Sequence, residues 1–349
     1  MRANPKNRRR YGWILLLIAM SSCFKTNQSV NPAHSSILQF IAGDSSLSLL
    51  NTAIQRVQLD TAMSSGGPFT FFAPSDSAFR AAGLTADSIN RMDAQKLLLI
   101  LKYMVVNGRL SATDVPGFLK QQFSSLHPSY KPFISKSYYG IFINGIVVTH
   151  GDIELGDGVL QVIGRVAFPP AGSQLDVLDQ SRDMKFFAAL VRHVYTFGLL
   201  VADPNPNSSN SGQGYYYQVP VFGNTLLVPT DSAFIAYGYP DSVSVYNDSL
   251  KLIDGYFSGC CNYVAPILVP YVLNGFDFTS DFKGEFQLNH GANSLGYRWN
   301  GILNIWTSMD GMSFTGNGIA LDNPVKIIGP DLIATNGVVQ KINQVFITH

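Results

Sequence analysis

The residues in this 349-residue chain that could do chemistry are few and scattered. Six histidines occur, at 34, 127, 150, 193, 290 and 349, and no two share a helix face at metal-ligand spacing. Gly43-Asp44-Ser45-Ser46 has the order of a Gly-Asp-Ser nucleophile, but no late Asp-x-x-His follows to serve as its base. Asp203-Pro204-Asn205-Pro206-Asn207 alternates oxygen ligands as a calcium loop does. It lacks the glycine at its sixth position and the closing glutamate, and its prolines stiffen it, so a surface loop is the better reading. Cys260 and Cys261 are adjacent, which leaves open a vicinal disulfide or two buried thiols. The aromatic clusters are more suggestive. Tyr138-Tyr139 and Tyr215-Tyr216-Tyr217 form a possible ligand surface, since tyrosines stack on sugars and anchor protein interfaces, although alternating tyrosines also simply cover a sheet. No Gly-x-Ser-x-Gly elbow and no phosphate loop is present. The expectation is a non-catalytic protein with no cofactor and no metal.

The elements around these residues come in two sets. Thr70-Phe71-Phe72-Ala73-Pro74-Ser75-Asp76-Ser77-Ala78-Phe79 returns as Leu226-Leu227-Val228-Pro229-Thr230-Asp231-Ser232-Ala233-Phe234. Leu101 to Gly108 returns as Leu268 to Gly275, and Asp157 to Ile163 returns as Asn336 to Ile342. The order is kept and the offsets are 155, 167 and 179, so the second copy carries insertions between its blocks. The chain reads as two copies of one domain. Within each copy helical patterns come early and strands late. Ser36 to Asp60 has a helical apolar stripe, Asp93 to Lys102 is a Leu-rich helix, and Leu175 to Leu200 is a helix opening the second copy. A further helix is expected around Leu250 to Phe257. Hairpins are expected at Asn144-Gly145 and Asp157-Gly158. The predicted fold class is α+β, built around antiparallel strands.

Pro74 and Pro229 should stop a strand, and Asp76 and Asp231 should accept backbone N–H bonds at the start of the helix that follows. Phe79 and Phe234 then fall on its buried face. Asn107, Asn144 and Asn336 precede glycines because their turns need positive φ.

Apolar residues make up 46% of the chain and aromatic ones 12%, enough for two cores, while charged residues are only 13%. The N-terminus explains part of the charge. Arg2, Lys6, Arg8, Arg9 and Arg10 precede a short apolar run, Gly12 to Met20, which has the length of a signal h-region and is too short to span a bilayer. Ser21-Ser22-Cys23 completes a segment that resembles a bacterial lipoprotein signal, with lipidation at Cys23 and residues 23–35 as a tether. Acyl chains contribute about 0.8 kcal/mol per buried methylene, so several on one cysteine hold a protein on a membrane. Removing residues 1–22 takes away five of 24 basic residues and none of the 23 acidic ones, leaving 19 against 23. This mild acidity, with no basic stripe, points away from nucleic acid. Phe24 after the cysteine favours the outer membrane of a bacterial envelope. The first acidic residue after Cys23 is Asp44, which leaves open whether the protein faces the periplasm or the surface.

The repeated blocks resemble the signatures of the fasciclin domain. Thr70 to Phe79 is similar to its first signature, Leu101 to Gly108 to its second, and Asn144-Gly145 with Asp157 to Ile163 to its closing strands. The resemblance covers residues 36–170 and, more divergently, 175–349. The motif residues are Pro74, Asp76, Phe79, Tyr103, Asn107 and Gly108 in the first copy, and Pro229, Asp231, Phe234, Asn274 and Gly275 in the second. The family often has His after Tyr at the helix-to-strand junction. Here Tyr103-Met104 and Pro270-Tyr271 stand there, so the adhesive tyrosine-histidine role of animal members does not carry over. The resemblance implies two tandem domains, each a β-wedge with packed helices. It further implies an adhesion or protein-interaction role toward an envelope or extracellular protein or polysaccharide. The alternative is a glycan-binding accessory protein of a nutrient-uptake system.

Overall fold

The computed structural model describes residues 35–64, 66–117, 120–196, 223–245, 247, 271–284, 287–290, 303–316 and 323–345. Cys23, the signal and tether up to residue 34, the loop at 203–207, Tyr215 to Tyr217, the helix expected at 250–257, and Cys260 and Cys261 lie outside the described residues.

The first half opens with helices α1 (Ile37–Gly43), α2 (Ser48–Val57) and α3 (Leu59–Met63). Strand β1 (Phe69–Pro74), helices α4 (Asp76–Ala81), α5 (Ala86–Arg91) and α6 (Ala94–Met104), and strand β2 (Val105–Asn107) follow. Strands β3 (Gln121–Gln122), β4 (Phe133–Ser137), β5 (Gly140–Ile143), β6 (Ile146–Leu155) and β7 (Gly158–Ile163) complete it. The second half has α7 (Gln174–Gln180), α8 (Lys185–Thr196), β8 (Asn224–Pro229), α9 (Asp231–Tyr237) and β9 (Val272–Asn274). It ends with β10 (Gln287–His290), β11 (Leu303–Thr307), β12 (Ser313–Gly316), β13 (Val325–Ala334) and β14 (Gly337–Ile342).

Each half makes one seven-stranded sheet. The orders are β2-β1-β7-β6-β5-β4-β3 and β9-β8-β14-β13-β12-β11-β10, the same path twice. Register repeats as well. Phe69 pairs with Gly158 and Asn107, and Asn224 pairs with Gly337 and Asn274. The bulges in the β6–β7 pair, at Val148/His150 and His150/Ile153, return between β13 and β14 at Ile327/Gly329 and Gly329/Leu332. One feature departs from the antiparallel expectation: β1 pairs with β7, and β8 with β14, in parallel. These partners are far apart in sequence, and a long crossover permits parallel pairing.

Buried on both sides, β1 is apolar along its length except for Thr70, and Phe71, Phe72 and Leu160 share one core cluster with residues of α2 and α6. Leu50, Ala53 and Ile54 of α2 and Leu97, Ile100 and Leu101 of α6 supply the other side of that core. In the second half Phe187, Leu190 and Val191 of α8 pack with Leu226, Val228, Val339 and Ile342.

The helix expected over 175–200 is two helices. The break at residues 181–184 is held by Ser181 donating to Asp183, by Asp231 N–H donating to the Asp183 carbonyl, and by Lys341 on the Asp183 carboxylate at 2.9 Å. A second correction concerns glycine. Gly108 and Gly145 have φ of +94° and +74°, as their turns require, whereas Gly337 does not lie in the left-handed region. Its reason is space. A Cβ there would stand 2.0 Å from the Asn224 carbonyl oxygen, and one on Gly158 would stand 1.9 Å from that of Phe69.

Candidate functional site: the junction between the repeats

The motif prolines end β1 and β8, opposite Ile163 and Ile342. The motif aspartates act differently from the expectation. The N-caps of α4 and α9 are Ser75 and Thr230, whose hydroxyls accept from Ala78 and Ala233 N–H at 3.2 Å. Asp76 and Asp231 sit one residue inside the helix and reach across to another one. Asp76 accepts from Leu49 N–H at 2.8 Å and from the Ser48 hydroxyl, at the start of α2. Asp231 accepts from Phe186 N–H at 2.8 Å, at the start of α8. The orphan donors of one helix are thus satisfied by a carboxylate on the next. Phe79 and Phe234 are buried, and Gly275 turns with φ +95° after Asn274 as Gly108 does after Asn107.

Tyr103 is buried, and its hydroxyl accepts from Asn144 Nδ2 at 2.9 Å. Asn144 Oδ1 accepts in turn from Phe133 N–H. His127 meets the Tyr103 ring edge-on and stacks on Tyr130, with its Nδ1 accepting from the N–H groups of Ser129 and Tyr130. Burial pushes the Tyr103 phenol well above its usual range. Burial, with Lys102 nearby, pushes His127 below its own, which keeps Nδ1 free to accept. These groups are internally satisfied.

The side chains that converge from both repeats lie at their junction. Lys120, just ahead of β3, points its ammonium at the Phe276 carbonyl (2.5 Å), Asp277 Oδ1 (2.9 Å) and Asp281 Oδ2 (3.0 Å). Arg165, just beyond β7, donates to the Pro330 carbonyl at 3.1 Å and to Asp331 Oδ2 at 2.5 Å. The Asp331 side chain is 0% exposed, so this carboxylate is fully removed from water and needs its cation. Between the two ion pairs, Phe133 packs on Phe276 and Phe278 with ring centroids 4.8 and 5.7 Å away. Gly145 permits the approach: a Cβ there would come within 2.6 Å of Phe278 Cβ. Burial alone would lower the Lys120 ammonium, but Asp281 and Asp277 outweigh it and hold it above the usual lysine range.

Local structure aims the acidic side. Asp277 N–H donates to the buried Thr225 hydroxyl at 2.7 Å. Asp281 closes a 3-10 turn by accepting from Phe278 N–H. Asp331 sits at φ +60° on the β13 bulge, and Gln340 ties it down, accepting from Asp331 N–H and donating to Asp331 Oδ1 and the Asp277 carbonyl. Gln161 does the same for Asp152 and the Leu110 carbonyl in the first repeat. Motif reading missed these glutamines. Their signal was visible: Gln161 is the one polar residue from Val159 to Ile163, and Gln340 stands at the same place in the second block, beside Lys341.

Tyr138 and Tyr139 occupy the tip of the β4–β5 hairpin, edge to face at 5.8 Å. Tyr138 is 92% exposed, and Lys283 of the second repeat lies 5.9 Å above the Tyr139 ring. Among the described residues no group of three or more His, Cys, Asp or Glu side chains is arranged to hold a metal ion. No helix among them is long and apolar enough to cross a membrane.

The sequence profile of the fasciclin domain matches residues 45–169. Protein sll1483 of a Synechocystis strain is 30% identical over 146 residues, covering 41% of this chain and 79% of that protein. The transforming growth factor-beta-induced protein ig-h3 of Sus scrofa is 28% identical over 160 residues. That match takes in 46% of this chain but only 23% of ig-h3, so the chain spans about a quarter of that relative. A solved FAS1 domain pair from the insect cell adhesion molecule fasciclin I aligns over 86% of this chain and 96% of its own, with 16% identity and a TM-score of 0.35. The chain belongs to the fasciclin domain family. The α+β class expected from the sequence agrees with this family and with the mixed sheets described above. The fasciclin domain is an adhesion or protein-interaction module.

Proposed function

We propose that the protein is a lipid-anchored component of a bacterial cell envelope, in which two fasciclin domains, at 36–170 and 175–349, form a non-catalytic adhesion or protein-interaction module. The observation that carries this reading is the fasciclin match over residues 45–169, joined to a second half that repeats its strand order and register. The anchor rests on the basic and apolar N-terminal segment ending at Cys23. The partners are the membrane, through that anchor, and an envelope or extracellular protein or polysaccharide. Nucleic acid is not among them. Metabolic labelling with a lipid probe in wild type and Cys23→Ala tests the anchor: label in both, or in neither, removes it. Pull-down from envelope extracts tests the module, and recovery of neither a protein nor a glycan counts against it.

One observation favours a second reading, glycan capture for a nutrient-uptake system. Tyr138 stands almost wholly in solvent at a hairpin tip whose neighbour, Tyr139, is covered by Lys283. Exposed aromatic faces of this kind stack on sugar rings. A glycan array separates the two readings, because only the second expects binding that Tyr138→Ala abolishes.

A further inference from the structure

The face of the second repeat that receives Lys120 and Arg165 has a twin on the first. The offset of 167 carries Phe276, Asp277, Thr279 and Asp281 onto Arg109, Leu110, Ala112 and Asp114. The offset of 179 carries Pro330 and Asp331 onto Gly151 and Asp152. The local bonding is conserved between the twins. Asp281 Oδ2 accepts from Phe278 N–H at 2.8 Å, and Asp114 Oδ2 accepts from Ser111 N–H at 2.9 Å. Asp331 Oδ1 accepts from Thr279 N–H at 2.7 Å, and Asp152 Oδ1 from Ala112 N–H at 2.9 Å. Both bulge aspartates hold positive φ, +60° and +57°.

What differs is occupancy and one carboxylate, since Leu110 stands where Asp277 receives Lys120. Asp331 Oδ2 takes the Arg165 guanidinium and the Thr279 hydroxyl. At the twin position Ala112 has no hydroxyl, and Asp114 and Asp152 are exposed. No described lysine or arginine forms an ion pair with either carboxylate, and the nearby Lys136 ammonium donates to the Ala112 carbonyl instead. The hydroxyl and N–H of Ser111 hold the Asp114 carboxyl below its usual range, so it is an anion at neutral pH.

We propose that this face of the first repeat docks a protein surface carrying an arginine and a lysine spaced as Arg165 and Lys120 are, the surface of another fasciclin-type module. The guanidinium takes Asp152 and the Gly151 carbonyl; the ammonium takes Asp114 and the Arg109 carbonyl. The inference deepens the interaction-module reading and rests on it. Continuity with the observed junction carries it, since two acidic positions that bind cations in one repeat are kept, with the same backbone, in the other. Aromatic cover is absent, because Arg109 and Ser111 stand where Phe276 and Phe278 pack. The contact is therefore polar, reversible and weakened by salt.

The chain supplies its own probe. In the wild type the Lys120–Arg165 surface is covered by its own second repeat. Lysines in place of Asp281 and Asp331 repel that surface and release it. Immobilised wild type, whose Asp114–Asp152 face is exposed and pairs with no cation among the described residues, should bind the D281K/D331K variant in solution. Replacing both receiving carboxylates, as D114N/D152N in the immobilised chain, should weaken binding about tenfold while keeping the local hydrogen bonds. Equal binding to both immobilised chains marks nonspecific adhesion by exposed aromatics and overturns the proposal. The milder D281N/D331N variant serves as a second probe where the lysine variant fails to fold, and a flat response from both also overturns it. Either failure leaves the module reading standing, because that reading falls only to the envelope pull-down.

Discussion

In the first repeat Thr70, Gln161 and Asp76 close three polar gaps, and in the second Thr225, Gln340 and Asp231 close the same three. Thr70 and Thr225 donate to the carbonyls of Gly108 and Gly275, both at 2.7 Å. The aromatic network is not shared in this way. Tyr103 pairs with Asn144 in the core of the first repeat, but the second has Pro270 at that position, and its neighbour Tyr271 packs edge-on against Phe187 at 5.7 Å. Surfaces diverge further. Arg80 on the outer side of α4 is replaced by exposed Ile235 on α9. The difference separates two kinds of constraint. The backbone-satisfying bonds of these polar clamps are kept in both repeats, because an unmet buried donor or acceptor costs about 1–3 kcal/mol. Packing and surface tolerate much more.

The comparison breaks or sharpens most visibly at the paired glycines. Gly158→Ala and Gly337→Ala each force a Cβ into a backbone carbonyl. Each should cost about 3–5 kcal/mol, seen as a lowered melting midpoint by calorimetry. Equal losses would mean the two β7-type strands are equivalent in energy as well as in register. At the junction, Arg165→Met strands a buried carboxylate and should cost about 2–3 kcal/mol. The expected sign is two separate unfolding transitions in the variant against one expected for the wild type. Tyr103→Phe should cost about 1–2 kcal/mol in the first repeat alone by leaving Asn144 Nδ2 unmet. Hydrogen exchange should show the loss concentrated in the first repeat, because position 103 corresponds to Pro270 in the second. The smallest effect is alkaline. Lys120 is held above its unfolded value, so its contribution to docking is complete below pH about 10.4 and is lost as pH rises through the higher folded value. Small-angle scattering should show the pair loosening on that side of neutrality, and Lys120→Met should remove the dependence.

Much of the fold was legible because duplicated blocks mark the strands that must pair. The blocks at offsets 155, 167 and 179 fall on β1, β2 and β7 in one repeat and on β8, β9 and β14 in the other, but the parallel pairing of β1 with β7 and of β8 with β14 was not legible. The role of Asp76 was not legible, since sequence places a carboxylate near its own helix but does not say which helix end it reaches. The junction was hidden for a related reason. Lys120 and Arg165 lie outside the repeated blocks, and Gln344 stands where a second Arg165 would be. Their partners are set by how one repeat seats on the other, which local pattern does not encode. The tyrosine pair at 138–139 was visible in sequence, but its place at a hairpin tip, with Lys283 of the second repeat beside Tyr139, was not.

The attachment of residue 35 has a mechanical consequence. Gly156 N–H donates to the Ser35 carbonyl and Ile37 N–H to the Asp157 carboxylate, so the incoming chain is fastened where β7 begins. The outgoing chain leaves from the far end of β7, where Arg165 is tied to Asp331. Tension applied across the first repeat therefore travels along a single strand gripped by β1 on one side and β6 on the other. Such a strand is loaded in shear, with its ladder bonds sharing the force together, rather than unzipped one bond at a time.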